Sequence, residues 1–482
     1  MVNLIKSCFI PSGEITSDYY RYSMWRLAQR FVSATCSVFG TQALLLALGF
    51  KKEKIGIAAA TTWVLKDALG KFSRIFWASK HGRKFDSDAK KWRFRSSILF
   101  AAGNALEIFT YIVPSLFLLL AACANAMKQM AMLTSSATRN TIYKSFARNG
   151  DNIGDITAKG EAQLAVIDLL GMGAGILISR AIGASRAKIS GAFAVLSFID
   201  LVCIFNEIKS VVFTSLNFER AGIVLSHLME PGAPGSSSDD SRSRSNSDSN
   251  SSSSSNSNNS NNNSSSVSLT PQEVASLEPI LHRARYAEEM FKSWSSLRVD
   301  ADVLQGSLAL YPPGGGKDED GGGATRFVVT AGLRVARSLA EARRVELALE
   351  PCATLRAVRG VPVVLTPQVL LHREATSADA FRALVVVLRL VKLFDERSAP
   401  VGPSSGLPWV ALGRRRQGTA TAAGDRAELA ALGLGSDAVV SLLREATDYE
   451  RNNLSTLLAM LQTVGWDTTK FTFGSLRTRV EW

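Results

Sequence analysis

The sequence lacks the residue patterns that mark the common catalytic and metal-binding sites. Its five cysteines are scattered singly without a Cys-x-x-Cys pair, which indicates neither a disulfide framework nor a zinc site of that kind. The four histidines lie far apart, and none has a second ligand at metal-binding spacing. No phosphate-binding loop or nucleophile elbow is present either. We therefore predict no metal site and no catalytic residue, leave the cofactor unassigned, and regard an enzyme as the less favoured class.

Acidic residues are scarce in the N-terminal part of the chain. Before Pro231 there are 27 Lys and Arg residues against 15 Asp and Glu residues, while the whole chain carries a net charge of +13. A basic surface attracts anionic lipid headgroups, by roughly 1 kcal/mol per residue near the membrane. Residues 66–95 combine ten basic residues with Trp77 and Trp92, which is typical of a segment at headgroup level, with a solvated helix face as the alternative. Without a zinc-finger or RNA-recognition motif, nucleic acid is not expected as a partner.

Long hydrophobic runs are abundant in the same part of the chain. Each is long enough, or nearly so, to cross a bilayer as a helix, and the alternative is a buried helix of a soluble bundle. Two of the runs contain one acidic residue each, Asp168 and Asp200. A carboxylate inside a membrane is costly, so both are candidate functional residues. The runs are residues 31–50, 108–127, 164–179 and 189–206.

The run at 108–127 has basic residues on both sides, whereas positive charge normally gathers on one side of a membrane. Pro114 lies near its start and disfavours a continuous helix, because proline lacks a backbone donor. We therefore predict a bent helical hairpin from about Ser96 to Met127, which would keep both basic flanks on one face. The alternative is a buried helix of a domain that rests on the membrane.

A polar segment, residues 138–163, connects two of the apolar runs. The Asn, Asp and Gly residues near its centre favour turns, so we expect an elaborate connector between two apolar helices. Its cations and amide groups are suitable donors for an anion such as a phosphorylated ligand or a lipid headgroup. The alternative is that they cap and tie together the two helices. The candidate anion-binding residues are Arg139, Asn140, Lys144, Arg148 and Lys159.

Small residues recur every four positions after this segment, at Gly171, Gly175, Ser179 and Gly183. On a helix this spacing places them on one face, where a second helix can approach closely. The pattern therefore predicts a helix-packing stripe.

The second half of the chain has a different composition. Residues 231–268 are rich in Ser and Asn and predict a disordered linker. Beyond them, short strand-like pieces, among them 360–366 and 369–374, alternate with helices. A helix from about Ser377 is predicted to be capped by Thr376, and a long one to end at Gly465. We predict a mainly α chain: a helical, membrane-associated region over 1–230, the linker, and a small α+β domain over 269–482.

The string TRNTIYKSFARNGDNIGDITAKGEAQ, with FIPSGEITSDYYRYSMWR, TTWVLKDALGKFSRIFWA and GRKFDSDAKKWRF, resembles the root UV-B sensitive (RUS) family. The resemblance implies a membrane-associated, often plastid-located protein linked in plants to early seedling development, auxin distribution and vitamin B6 homeostasis. Another member of the family is an expected partner. The resemblance begins near Phe9, so we expect a plastid location only if the true N-terminus is longer, and otherwise another internal membrane.

Three functional hypotheses follow. The first is a non-enzymatic membrane-associated protein that acts through helix pairing and partner binding. The second is a carrier of a small anionic metabolite, with Asp168, Asp200 and residues 138–163 lining its path. The third is a sensor or enzyme related to pyridoxal phosphate. Polar residues that converge between the apolar helices would favour the carrier, whereas polar residues at separate helix ends would favour the first hypothesis.

Overall fold

The fold was obtained as a computed structural model and is mainly helical, with a small strand-containing C-terminal region, as the sequence predicts. The structure describes residues 9–47, 57–147, 152–183, 185–229, 269–280, 290–311, 326–336, 341, 344–345, 352–359, 361–398 and 422–473.

The chain divides into two compact units. We call the first, Met1–Thr214 with Ala275–His282, the helical unit, and the second, Ser215–Val274 with Arg283–Trp482, the α+β unit. Strand β1, Ser215–Leu216, belongs to the α+β unit because it pairs with a strand close to the C-terminus. The predicted linker, residues 231–268, lies outside the described residues.

Long helices build the helical unit. In the first of them, residues at spacings of three and four are buried, as expected for a helix with one packed face. The described helices of this part are α1 Asp18–Ala47, α2 Ile57–His81, α3 Ala89–Ile112, α4 Phe117–Phe146, α5 Ile153–Ile182 and α6 Arg186–Lys209.

The apolar run at 108–127 is not one helix but the turn of a helical hairpin. Helix α3 ends at Ile112, a short 3-10 turn covers Pro114–Leu116, and α4 begins at Phe117. At the other end of the hairpin, the Arg93 guanidinium donates to the Ser135 hydroxyl. The two basic flanks therefore lie at the same end, as the proline and the charge distribution predict.

The polar segment at 138–163 is less of a connector than predicted. Helix α4 continues to Phe146 and α5 begins at Ile153, so most of the segment is helical. Thr138, Ile142 and Phe146 are buried at four-residue spacing, and this packing extends α4 into the polar stretch. Gly154 and Asp155 lie within α5, and residues 148–151 lie outside the described residues.

Four helices of the described part are long and apolar enough to cross a membrane, by length and composition. Only 17 to 22% of the apolar windows in α4, α5 and α6 is buried. Their outward faces expose large hydrophobic side chains, including Leu119, Leu177 and Phe198. These helices are α1, α4 with the turn before it, α5 and α6.

A three-stranded antiparallel sheet forms the centre of the α+β unit, with strand order β2-β4-β3. The two strand-like pieces at 360–366 and 369–374 form one long strand, β4. Its Pro367 pairs with β2 but lies beyond the residues of β4 that pair with β3, where no ladder hydrogen bond is lost. The strands are β2 Phe327–Val335, β3 Thr354–Val358, β4 Val361–Leu371 and β5 Asp467–Phe471.

Helix α10 packs against this sheet with its apolar face and begins with the predicted capping box of Thr376 and Asp379. The long helix α12 ends at a left-handed Gly465, as the sequence predicts. The helices of the later part of the chain are α7 Phe218–Leu228, α8 Pro271–Leu277, α9 Ala301–Leu310, α10 Ser377–Glu396, α11 Ala422–Ala431 and α12 Ser436–Val464.

A buried polar cluster in the helical unit

Two arginines from different helices meet one carboxylate inside the helical unit. The Glu207 side chain on α6 is fully buried, and its Oε1 lies 3.2 Å from Nη1 of Arg26 on α1 and 3.2 Å from Nε of Arg93 on α3. The same Arg26 nitrogen donates to the Tyr22 hydroxyl over 3.2 Å. Arg26 and Arg93 are 3% and 4% exposed, so both charges depend on this contact for neutralisation.

Asp200 lies two turns before Glu207 on the same face of α6. Its carboxylate accepts a hydrogen bond of 2.8 Å from Gln29 Nε2 and one of 3.1 Å from Ser97 Oγ. These donors are neutral, and Asp200 is 5% exposed. Asp200 and Glu207 thus join α1, α3 and α6 through polar contacts at two successive levels.

A third arginine approaches this cluster from α4. Arg139 forms an ion pair of 2.8 Å with Glu161 on α5. It lies within electrostatic range of both Arg26 and Arg93. The Arg139 side chain is 20% exposed, whereas Glu161 is 48% exposed, so the carboxylate faces outward from the arginine group.

The cluster contains buried polar atoms without a hydrogen-bond partner. They are Nε of Arg26, Oε1 of Gln29, Oε2 of Glu207 and Nε of Arg139. Leaving such a group unpaired costs about 1–3 kcal/mol. Because both donors and acceptors are unpaired, the cluster is suited to a small polar molecule or ion that supplies both kinds of group.

Asp168 is paired with a different residue. Its carboxylate on α5 accepts two hydrogen bonds from the Arg30 guanidinium on α1. Nε donates to Oδ1 over 3.0 Å, and Nη2 donates to Oδ2. Both side chains are about a third exposed. The two predicted acidic residues therefore have different surroundings, and only Asp200 belongs to the buried cluster.

A second polar group lies farther along the α3–α4 hairpin, towards its turn. Glu107 on α3 forms an ion pair with Lys128 on α4. The neighbouring Asn104 is 2% exposed, and its Oδ1 has no hydrogen-bond partner. A Cβ atom at Gly40 of α1 would collide with the Glu107 carboxylate. Gly40 therefore makes room for this group.

The structure does not bring the predicted anion-binding residues together. Arg139 points to Glu161, and Lys159 pairs with Asp155 one turn earlier on its own helix, at 3.0 Å. Asn140 and Lys144 are exposed. Arg148 lies outside the described residues. Of the five, Arg139 alone approaches the buried cluster.

The small-residue stripe packs against α1 of the same chain. A Cβ atom at Gly171 would lie 2.6 Å from the Phe31 carbonyl oxygen, and one at Gly175 would lie 2.8 Å from the Val38 side chain. Ser179 Oγ donates to Gln42 Oε1 over 2.7 Å. Gly183 ends α5 with a φ of 71°. Helix α1 of the same chain therefore packs on Gly171 and Gly175, so a partner protein cannot bind at these two residues.

The basic stretch at 66–95 is only partly a surface. Lys66, Lys90, Lys91 and Arg93 are each at most 6% exposed. Three of them meet carboxylates directly: Lys66 pairs with Asp67, Lys90 with Glu278 and Arg93 with Glu207. The tryptophans of this stretch also pack inward: their rings lie 6.2 Å apart, and Trp77 Nε1 donates to the Thr134 hydroxyl.

Sequence reasoning missed Arg26, Arg93, Glu207, Glu107 and Lys128. The available signal was charge within helices that are otherwise apolar, since Asp200 and Glu207 are seven residues apart on one helical face. Within the described residues, no group of three or more His, Cys, Asp or Glu side chains is placed to hold a metal ion.

Comparison with known proteins shows that the N-terminal part of the chain matches a known family domain. Residues 1–232 match the vitamin B6 photo-protection and homoeostasis domain. The chain is 37% identical to protein root UVB sensitive 6 of Arabidopsis thaliana over 234 residues, which is 48% of this chain and 46% of that protein. It is 29% identical to protein root UVB sensitive 2, chloroplastic, over 306 residues, 63% of this chain and 70% of that protein.

A relative outside plants is also similar. RUS family member 1 of Dictyostelium discoideum is 28% identical over 248 residues, which is 50% of this chain and 47% of that protein. No solved structure matches the chain. The match thus spans about half the length of most of these relatives and corresponds to the part of the chain that contains the buried polar cluster. The N-terminal half of the chain belongs to the root UVB sensitive family.

Proposed function

We propose that the chain is an integral membrane protein of this family that binds a small anionic metabolite inside its helical unit and acts without catalysis. Exposed leucine, isoleucine and phenylalanine side chains on α4, α5 and α6 support the membrane part of the proposal. A contiguous apolar surface of this kind is unfavourable in water and favourable against lipid. Charged residues that face the interior of a membrane bundle are functional candidates for the same physical reason.

The observation that carries the anion proposal is the charge of the buried cluster. Arg26 and Arg93 share the Glu207 carboxylate, and Arg139 interacts electrostatically with both arginines. The buried carboxylates of this cluster are two, Asp200 and Glu207. Glu161 compensates the positive charge of Arg139, but its carboxylate is half exposed. An excess of buried positive charge favours an anionic ligand.

The family description narrows the chemical class. The domain shared by the family is described as a vitamin B6 photo-protection and homoeostasis domain. The phosphorylated vitamers carry a dianionic group, and arginine binds phosphate with two parallel hydrogen bonds. A phosphorylated B6 vitamer therefore matches both the charge of the cluster and the family description.

Thermal unfolding in detergent tests the proposal. We expect pyridoxal 5′-phosphate to raise the Tm, since a ligand at a hundred times its Kd stabilises a protein by about 2.7 kcal/mol. Unphosphorylated pyridoxal should have a smaller effect. Arg139→Gln should abolish the shift, whereas the matched exposed variant Lys144→Gln should retain it. An unchanged Tm with every vitamer and with inorganic phosphate would contradict the proposal.

Partner binding is a second candidate function, and the exposed side of α2 favours it. Lys71 and Arg74 lie exposed beside this apolar face, so a partner helix with flanking carboxylates suits it better than lipid tails do. We assign this partner as another member of the family. The exposed apolar side chains are Val64, Leu65, Leu69, Phe72, Ile75 and Phe76.

Co-expression with a second root UVB sensitive protein tests this assignment. The unaltered chain should co-purify with this partner as a heterodimer, and Phe72→Glu should reduce the yield of the heterodimer at least tenfold. The matched variant Leu177→Glu, on the outward face of α5, should leave the association unchanged. Equal yields for all three proteins would exclude α2 as the contact.

For the compartment, the relative named chloroplastic supports a plastid membrane.

A further inference from the structure

Helix α3 carries a line of buried polar residues along its inner face. Arg93, Ser97, Asn104 and Glu107 are each at most 7% exposed. Their spacings of four, seven and three place them on one side of the helix. From the first to the last they extend about 21 Å along the helix axis. That distance is a large part of the hydrocarbon layer of a bilayer, which is about 30 Å thick.

The opposite side of the same helix is apolar and exposed. Ile98, Phe109 and Ile112 are each more than 40% exposed, and Ala105, the residue next to Asn104, is also exposed. Beyond Arg95, which is exposed, α3 therefore carries its exposed apolar residues and its buried polar residues on different sides.

The line of polar residues continues from helix to helix. At its start, Arg93 meets Glu207 of α6 and the arginine cluster. In its middle, Ser97 donates to Asp200, which also accepts from Gln29 of α1. At its far end, Glu107 pairs with Lys128 of α4. The first two levels thus join α3 to α6, and the last joins it to α4, by polar contacts.

Asn104 is difficult to explain by packing alone. Its Oδ1 is buried without a partner, and replacing such an amide with an apolar side chain of similar size removes a cost of about 1–3 kcal/mol. Beside it, the Glu107 carboxylate fills the position that a Cβ atom at Gly40 would take, and that Cβ atom would lie 3.5 Å from Asn104 Oδ1. A carboxylate cannot donate a hydrogen bond to this buried oxygen, which points to a polar molecule that reaches it as the donor.

We propose that this line is a water-accessible route along which the anion bound at the arginine cluster moves through the helical unit. Asn104 and the Glu107–Lys128 pair form the second binding site on this route. The inference rests on the proposed function, because the arginine cluster is the entry site. It extends binding to transport: the solute leaves the arginines, passes Asp200 and Ser97, and is next received by the Asn104 amide and the Lys128 ammonium.

Cysteine accessibility tests the route without knowledge of the solute. The full-length chain with its five cysteines replaced by alanine is reconstituted in lipid vesicles, and single cysteines are introduced. The probe is a negatively charged, membrane-impermeant methanethiosulfonate. We expect Asn104→Cys to be labelled at least tenfold faster than Ala105→Cys. These two residues lie at nearly the same depth on different faces of α3, one buried and one exposed, so depth alone cannot produce the difference.

Ser97→Cys, a nearly isosteric change halfway along the line, provides a second test if Asn104→Cys fails to fold. Exposed Lys144→Cys is the positive control for the reagent. Labelling at Lys144 but at neither Asn104 nor Ser97 would overturn the route and leave anion binding intact. Rapid labelling at Ala105 as well would show that α3 is not surrounded by lipid. That result would overturn both the route and the membrane part of the proposed function.

A stability measurement separates transport from structure. If Asn104 has a transport role, Asn104→Leu should raise the Tm because the unpaired amide is removed. It should also slow labelling of Lys128→Cys, which lies beyond Asn104 on the route from the arginine cluster. A lowered Tm would show that the amide has a structural partner, and it would overturn the assignment of Asn104. A raised Tm with unchanged labelling would do the same.

Discussion

Among the described residues, nine charged side chains are buried in the helical unit and three in the α+β unit. The outer surfaces differ in the opposite direction. Large exposed hydrophobic side chains occur throughout the helical unit, whereas Trp294 is the one identified in the described part of the α+β unit. The first unit therefore buries more charge and exposes more large apolar side chains, whereas the second has the usual arrangement of an apolar interior and a polar surface.

This difference agrees with the membrane location proposed for the helical unit. The α+β unit has one extensive apolar core, which includes Phe327, Leu384 and Leu443. The hydrophobic effect, which requires water as the solvent, favours the formation of such a core. The helical unit has several small apolar clusters. Its helices are joined by ion pairs and by close contacts at glycine, which are the interactions that remain effective in lipid. Each of the following predictions tests one side of the comparison.

The largest effect is expected at Glu207. Glu207→Gln keeps the size of the side chain but leaves Arg26 and Arg93 without their shared carboxylate, which should lower the free energy of unfolding by about 3–5 kcal/mol. Chemical denaturation in detergent measures the change. The control is Glu161→Gln, whose ion pair is half exposed and should contribute at most about 1 kcal/mol. Equal effects of both variants would contradict a charged interior.

The next effect is expected at the contact between α1 and α5. Gly171→Leu should lower the unfolding free energy by about 1–3 kcal/mol, because the side chain would overlap the α1 backbone at Phe31. Gly173→Leu, two residues away on the same helix, meets nothing within 4 Å and should be neutral or stabilising. A similar loss for both variants would contradict the assigned packing face.

A smaller effect is expected inside the α+β unit at Tyr311. Its hydroxyl is hydrogen-bonded to Thr447 Oγ1 at 2.9 Å, and burial raises the pKa of this tyrosine, so it stays neutral. Tyr311→Phe should lower the unfolding free energy by about 1 kcal/mol. No new dependence on pH is expected between pH 6 and pH 9. A larger loss, or a loss that grows with pH in this range, would contradict a neutral hydrogen bond.

The smallest effect concerns Glu273 at the start of α8. Hydrogen bonds from the backbone and side chain of Thr270 lower the pKa of this exposed carboxyl. A lowered folded-state pKa stabilises the folded state above the unfolded-state pKa of about 4.3. The contribution is lost as the pH falls through the folded-state pKa. Glu273→Gln should remove this part of the acid destabilisation below about pH 4.3, as measured by Tm across that range, and an unchanged pH profile would exclude the capping contact.

The sequence predicted local structure better than it predicted partners across space. The end of α12 at Gly465, the capping boxes and the hairpin turn at Pro114 follow from residues close together in the chain. The long apolar helices were equally predictable from their composition. These features need no knowledge of tertiary contacts.

The buried polar cluster required knowledge of the fold. Arg26 and Glu207 are 181 residues apart in the chain, and nothing near either residue specifies the other. The polar segment at 138–163 attracted attention because its charges are adjacent in sequence, yet on a helix neighbouring residues point in different directions. Arg139 and Lys159 accordingly meet different carboxylates. The small-residue stripe was visible in the sequence, but the helix that packs on it was not.

Alkaline carbonate extraction of membranes that contain the full-length chain tests the central claim most directly. If the apolar outer faces of α4, α5 and α6 are surrounded by lipid, the protein remains in the membrane pellet at high pH, as an integral protein does. Release into the supernatant together with a peripheral control protein would contradict this account. The charged interior would then belong to a water-soluble bundle, and both the anion site and the route through it would have to be abandoned.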